Sequence, residues 1–582
     1  MRKPRSSPPK LQVSPVQVSL TGQGGSLLLR RGRILDVFSG DVHPADILIL
    51  GTEIVAVGDG YYHADNVIDC SGKVILPGFI DGHIHIESSM LQPSEFCRLA
   101  LLHGTTGVVC DPHEIANVLG MKGIDYLLKA TAELPLDFYF MAPSCVPATS
   151  METSGAVISV REIAALLKSP RVLGLAEFMN FPGVISEDPD AKAKLDAARA
   201  AGKPIDGHAP GLRGNALQAY ITAGVGSDHE CTAREEAREK LRGGMRIMIR
   251  EGSAARNMTA LLPIVNVCNA RRFMFVSDDR HPVELMQEGH LDAVLRKALA
   301  VGLDAVSAVQ MVTLNVAEYF GLKKQGAIAP GFAADLTIVG NLEQFLVTDV
   351  IKSGRPVVAG GKLQVQLAGH PDKGVLKSTN PAAFSAKDFV IPARGREVRV
   401  IRLVPDQIVT STWLAQPKVE RKQVVADIDR DILKLAVIER HRRTGNIGLG
   451  LVVGFGMKKG ALASSVAHDS HNIIVVGTND KDMFVAAKRL VTIGGGFVAV
   501  AKGKVVAEVP LAIAGLMSEE PAEEVVAQLN AIMKVARNWG VRLNNPFAAL
   551  SFLALPVIPE LKLTDKGLVD VNQFKVVPLW SD

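Results

Sequence analysis

From about Val74 the chain alternates short apolar segments with longer helix-like stretches, and it keeps doing so for about 250 residues. Residues 106–110, 138–141, 172–175, 205–208 and 273–276 have the length and apolar content of buried strands. Stretches rich in Ala and Leu, such as 160–167 and 190–201, lie between them. Strands joined through helices pair in parallel, and a parallel sheet must be covered by those helices. An alternation of this length predicts an α/β fold, a (β/α)8 TIM-like barrel over 74–325.

The flanks read differently. Short alternating runs separated by Gly or Asp fill 26–73, and the same β flavour returns over 326–370. A strand unit on each side of a barrel predicts one small β-domain assembled from both flanks. A Pro-, Lys- and Ser-containing linker is expected over about 369–387, followed by a C-terminal domain of mixed strands and helices over 388–582. The glycines around Gly454-Phe455-Gly456 lack dinucleotide spacing and read as tight turns and close packing. Residues 1–25 read as a poorly ordered tail: Arg2, Lys3 and Arg5 are followed by Ser and Pro, not by the apolar stretch of a secretory signal.

Composition removes several function classes. The net charge of +4, from 64 basic and 60 acidic residues, is too small for a chain of 582 residues to argue for nucleic acid or a membrane surface. No apolar run reaches the ~18–20 residues that span a bilayer. The six cysteines form no Cys-x-x-Cys pair, which fits a reduced, cytoplasmic protein.

Chemistry concentrates at the ends of the apolar segments. In Asp81-Gly82-His83-Ile84-His85 a strand's alternation turns both imidazoles to one side. Glu177, His208, His229 and Asp278 each close or follow a later segment, at the end where barrel enzymes build their sites. Four imidazoles and two carboxylates are enough ligands for two divalent cations sharing a bridge, an arrangement that activates water near neutral pH.

The segment Pro77-Gly78-Phe79-Ile80-Asp81-Gly82-His83-Ile84-His85 resembles the signature of the amidohydrolase superfamily. Asp111-Pro112-His113-Glu114, Ala176-Glu177-Phe178-Met179-Asn180, Asp206-Gly207-His208-Ala209-Pro210, Ser227-Asp228-His229-Glu230 and Ser277-Asp278-Asp279-Arg280-His281 resemble, in order, segments of the bacterial adenine deaminases. That resemblance covers nearly the whole chain. It implies a binuclear centre held by His83, His85, Glu177, His208, His229 and Asp278, with Mn(II) or Fe(II) as the native ions and Zn(II) compatible. Glu177 takes the place that a carboxylated lysine has in many relatives. The implied reaction, in purine salvage, is hydrolysis of adenine to hypoxanthine and ammonia by a metal-bridging hydroxide attacking C6.

The resemblance also suggests roles. Glu114 would protonate the purine ring, which requires a pKa raised by burial. Asp278 would move a proton from the nucleophile to the departing amine, with help from His229. Arg213 is a candidate for holding the purine, Asp279 for fixing the Asp278 loop and His113 for supporting the site from behind. Ala467-His468-Asp469-Ser470-His471-Asn472 reads as a loop closing over the barrel, a further metal site or a solvated turn. The enzyme rivals are an N-acetyl amino-sugar deacetylase and a cyclic-amide hydrolase, and the non-enzyme rival is a binding protein. A homodimer is expected.

Overall fold

The computed structural model describes residues 14–60, 62–253, 255–404 and 407–581. Strands Gly25–Leu35, Val42–Leu50, Glu53–Gly58, Ala64–Asp69 and Val74–Pro77 join Leu336–Val339, Val347–Lys352, Arg355–Ala359 and Lys362–Leu363 in one nine-stranded sheet. The two flanks meet where Val74–Pro77 pairs antiparallel with Leu336–Val339, Ile75 opposite Ile338. Alternate side chains serve opposite faces. Leu27, Leu29, Ile47 and Ile49 enter one core, and Leu28, Leu48 and Leu50 enter another with Val18.

Val18 corrects the expected tail over 1–25. Pro15–Thr21 form a helix, because the outer apolar face of the sheet needs cover and Val18 supplies it. Residues 1–13 lie outside the described residues.

Eight parallel strands form the barrel in two arcs. Phe79–Ile84, Thr105–Cys110, Asp137–Ala142, Val172–Phe178 and Ile205–Gly207 make one arc. Ser227–Asp228, Arg246–Arg250 and Phe273–Val276 make the other. The arcs meet on both sides. Gly226 N donates to Ile205 O (2.9 Å), His85 N to Asp278 O (3.2 Å) and Asp278 N to His83 O (3.0 Å). Ile80, Val109, Met141, Ala176, Met248, Met274 and Val276 form the interior core. Phe79, Val108, Phe140, Leu175, Ile249 and Phe275 lie in the larger core formed with the surrounding helices. Buried on both faces, such strands read as continuous apolar runs.

The C-terminal region is built on an eight-stranded sheet that includes Ile432–Ile438, Ala461–Ser464, Ile473–Gly477 and Gly496–Ala501. Period-two alternation again divides its faces. Ala436, Ile438, Ile473, Val475 and Val498 pack with Ala486 and Leu490 of the helix Asp480–Ile493. Leu435, Val437, Ile474, Val476 and Phe497 join the core shared with the barrel. The segment expected as a linker is mostly irregular but pinned, with Ala514 N donating to Val375 O at 2.8 Å. Gly454 and Gly456 take positive φ (117° and 75°), and both backbone N–H groups donate to the Asp431 carboxylate. This is a turn held by a carboxylate. No helix among the described residues is long and apolar enough to cross a membrane.

Lys562 in the strand Leu561–Thr564 is fully buried, and its Nζ donates to Ile408 O (2.8 Å) and Phe552 O (3.0 Å). Burial pushes its ammonium group down to about 7, whereas an unfolded lysine titrates near ~10.4. Between those values the unfolded chain binds more protons, so stability rises with pH there, by at most about 1.4 kcal/mol per unit. Lys562→Met is expected to remove that rise. Melting temperatures of both proteins from pH 7 to 10 check it, and a constant difference between them would count against the buried charge.

Candidate active site

Strand ends deliver the side chains. His83 lies within Phe79–Ile84 and His85 just beyond it, Glu177 lies near the end of Val172–Phe178, and His208 and His229 follow Ile205–Gly207 and Ser227–Asp228. Asp278 follows Phe273–Val276, two residues beyond the inward-facing Val276, at a positive φ of 55°. A non-glycine residue in that region is uncommon outside constrained sites. Asp81 fixes the first strand end by accepting His83 N and Ser277 N, each at 3.2 Å, and it lies 3.1 Å from the buried His290.

Four imidazoles converge on Glu177. Its Oε1 lies 3.8 Å from His83 Nε2 and 3.2 Å from His85 Nε2. Its Oε2 lies 3.2 Å from His229 Nε2 and 2.5 Å from His208 Nδ1. Asp278 Oδ1 completes the first side, 3.6 Å from His83 Nε2 and 3.2 Å from His85 Nε2. One carboxylate thus presents one oxygen to each of two imidazole pairs. Burial opposes charge on Glu177, but His229 and His208 hold its carboxyl well below the usual range. Asp278 is lowered in the same way, chiefly by Arg250 and His83.

This donor set fits divalent cations. Two ligands of one ion, each about 2.1 Å from it at 90–110°, stand roughly 3.0–3.4 Å apart. Most of the separations around Glu177 Oε1, Asp278 Oδ1 and His229 fall near that span. Neutral imidazoles with carboxylates suit Mn(II), Fe(II) and Zn(II) alike.

Glu114 opens the helix His113–Leu119 and is buried. His468 Nδ1 lies 2.6 Å from its Oε1, and its Oε2 is in contact with His471 Nε2. His113 Nε2 lies 3.5 Å from Oε1, and the other nitrogen of that ring lies 3.5 Å from Glu177 Oε1. Burial alone would raise the Glu114 pKa, as the sequence reading required. The surrounding His468, His471 and His113 reverse it and hold the carboxyl well below its ordinary value. Burial works against His468 too, but the Glu114 carboxylate lifts its imidazolium to about 9. The carboxylate and His468 therefore hold one proton between them.

A cavity of about 590 Å³ adjoins this cluster, with Ser88, Asp279 and His281 on the barrel side and His468, Phe547 and Phe552 on the other.

Sequence comparison decides the family. Residues 74–357 match the model of the amidohydrolase family, and residues 407–575 match the adenine deaminase C-terminal domain. The adenine deaminase of Desulfatibacillum aliphaticivorans is 49% identical over 555 residues, covering 95% of this chain and 97% of that protein. The chain belongs to the adenine deaminase family. The adenine deaminases of Dehalococcoides mccartyi (strain 195) and Methanothrix thermoacetophila are each 48% identical, over 95% and 96% of this chain and 96% and 97% of their own lengths.

Within this adenine deaminase family member, one expected site residue lies elsewhere. Arg213 sits at the exposed start of the helix Gly214–Thr222, where its guanidinium pairs with Glu239 at 2.7 Å. The strong carboxylate partner on the adjacent helix Arg234–Arg242 captures it, so it does not enter the buried cluster. His468 and His471 are buried, which removes the solvated turn. Asp279 does fix a loop, accepting Ser88 Oγ at 2.5 Å.

Sequence reasoning missed Arg250. It ends the strand Arg246–Arg250, is buried, and donates to Asp278 Oδ2 at 2.7 Å and to both oxygens of Glu230. The signal was present: an apolar run closed by a charged residue, in Arg246-Ile247-Met248-Ile249-Arg250. Its pairing turns one Asp278 oxygen away from the histidines and leaves the other facing them. Arg250→Met would strand two buried carboxylates, with an expected cost of about 3–5 kcal/mol. Urea denaturation of the metal-free proteins checks this, and a change below 1 kcal/mol would show the pair to be dispensable.

Proposed function

We infer that this chain hydrolyses adenine to hypoxanthine and ammonia. The observation that carries the reading is the convergence of four strand-end histidines on Glu177, with Asp278 facing two of them. The chain is nearly half identical, along almost its full length, to proteins named adenine deaminase.

His83, His85, Glu177, His208, His229 and Asp278 would hold two divalent cations, Mn(II) or Fe(II) by preference, with Zn(II) compatible. Bound there, the ions supply Lewis-acid chemistry that makes water a nucleophile near neutral pH. The protein's own groups handle the protons. Asp278 Oδ1 accepts a proton from the attacking water, while Arg250 holds Oδ2 and fixes the plane of the carboxylate. Glu114 delivers the proton it shares with His468 to a ring nitrogen, neutralising the charge that builds on the purine. Asp278 then passes its proton to the amine, which leaves as ammonia. As the C6–N bond breaks, the C6 hydroxyl becomes a carbonyl, and its proton replaces the one that the Glu114–His468 pair gave to the ring. His229, beside Glu177 Oε2, adds electrostatic support. Arg213 is left out, since Glu239 holds it at the surface. The Glu177 cluster and the C-terminal adenine deaminase match support this reading over an amino-sugar deacetylase, a cyclic-amide hydrolase or a binding protein.

The test is ammonia release from adenine by protein reconstituted with Mn(II) or Fe(II), beside acetate release from an N-acetyl amino sugar. Equal yields of hypoxanthine and ammonia are expected. Two bound metals per chain with no ammonia from adenine would sink the assignment. A cytoplasmic location fits the free thiols at Cys70, Cys97, Cys110, Cys145, Cys231 and Cys268. Sedimentation equilibrium checks the expected homodimer.

A further inference from the structure

Glu114 is bound from outside the barrel. Its two oxygens meet His468 and His471, both in residues 465–472, which connect the paired strands Ala461–Ser464 and Ile473–Gly477 of the C-terminal sheet. Each imidazole is fixed independently of Glu114. His468 N donates to Ser551 Oγ at 3.2 Å, and its ring stacks on Phe552 with centroids 4.7 Å apart. Both partners lie on the helix Pro546–Phe552.

His471 is held more tightly still. Its Nδ1 accepts Ala467 N–H at 3.2 Å, so that nitrogen carries the lone pair and Nε2 carries the proton. The ring therefore faces Glu114 Oε2 as a donor. Burial keeps it neutral, with a pKa of about 4. Its own carbonyl accepts Arg440 Nε–H, and its backbone sits at a φ of 54°. Asn472 Nδ2 donates to Thr153 O at 2.9 Å, tying the same segment back to the barrel.

We propose that His468 and His471 are positioning residues for the deamination: the C-terminal domain completes the active site by gripping both oxygens of Glu114 and aiming that carboxyl at the purine ring. The proposal rests on the reading of Glu114 as the group that moves the ring proton. Glu114, His468 and His471 also have the composition of a metal site, with ligand atoms within 4.8 Å of one another. The hydrogen bonds argue for direct donation. His471 Nδ1 accepts Ala467 N–H, so Nε2 carries the proton and has no lone pair to offer an ion. The 2.6 Å between His468 Nδ1 and Glu114 Oε1 is a hydrogen-bond length.

The test uses full-length enzyme loaded with Mn(II). His468→Ala and His471→Ala are each expected to lower kcat about 10–100-fold, the usual cost of losing a supporting partner. KM should change less than about 3-fold and metal content should stay at that of wild type. His471→Gln places an amide donor near the lost ring nitrogen and is expected to recover most of kcat, whereas His468→Asn restores a donor but not the shared proton and is expected to recover only part of it. They also serve should the alanine variants fold poorly. In the Glu114→Gln background, His471→Ala should cost less than about 3-fold, because two residues acting through one group are not additive.

Unchanged kcat in both alanine variants would overturn the proposal, as would full additivity with Glu114→Gln. A third metal in wild type that the alanine variants lose would replace it with a metal site. Glu114→Gln turning over at the wild-type rate would sink the reading of Glu114 itself. Loss in Glu114→Gln beside full activity in both histidine variants would sink the positioning role alone.

Discussion

Glu177→Gln is expected to abolish ammonia release, by about 10³-fold or more, and to leave fewer than two metals per chain. Changing groups that merely support a metal ligand costs about 10–100-fold. Glu177 does more than support: its Oε1 faces His83 and His85, and its Oε2 faces His229 and His208. The amide keeps the volume and removes both the charge and one acceptor oxygen, so one of the two imidazole pairs loses its oxygen partner. Metal analysis after dialysis, read beside activity and circular dichroism, checks the result. Two tightly held metals in a folded, active Gln variant would show that Glu177 bridges nothing.

Glu114→Gln is expected to keep both metals and lose turnover by about 10²–10⁴-fold, the usual worth of an acid–base group. The variant should fold, for a reason visible in the hydrogen bonds. His471 presents a fixed N–H, because its Nδ1 is committed to Ala467 N. The glutamine must therefore turn its carbonyl to His471 and its NH2 to His468. Once neutral, His468 can accept at Nδ1. The cavity wall is preserved while the transferable proton is gone. A KM near that of wild type with a collapsed kcat is the expected signature, and normal turnover in a metal-replete variant would remove Glu114 from the reaction.

Much of the barrel was legible in the sequence. The strands Val172–Phe178 and Phe273–Val276 lie where apolar runs were read, because a strand covered on both faces admits little else. The strand Arg246–Arg250 passed unnoticed, since two arginines mask three apolar residues, and the Arg250 clamp on Asp278 went with it. Arg213 erred in the other direction. A loop arginine five positions after the candidate ligand His208 suggests substrate, but a helix away in sequence Glu239 takes it. The pKa of Glu114 was read from burial alone, and the opposing imidazoles were invisible from Asp111-Pro112-His113-Glu114.

The sequence by itself determined the barrel, the six candidate ligands at its strand ends and the family, because strand periodicity and motif residues are local properties of the chain. Only the tertiary structure decided what grips Glu114. His468 and His471 lie 354 and 357 positions from it, and no local pattern encodes a contact between side chains that far apart. It arises because the apolar face of the C-terminal sheet buries itself against the barrel, and that packing carries the connecting segment 465–472 into the site.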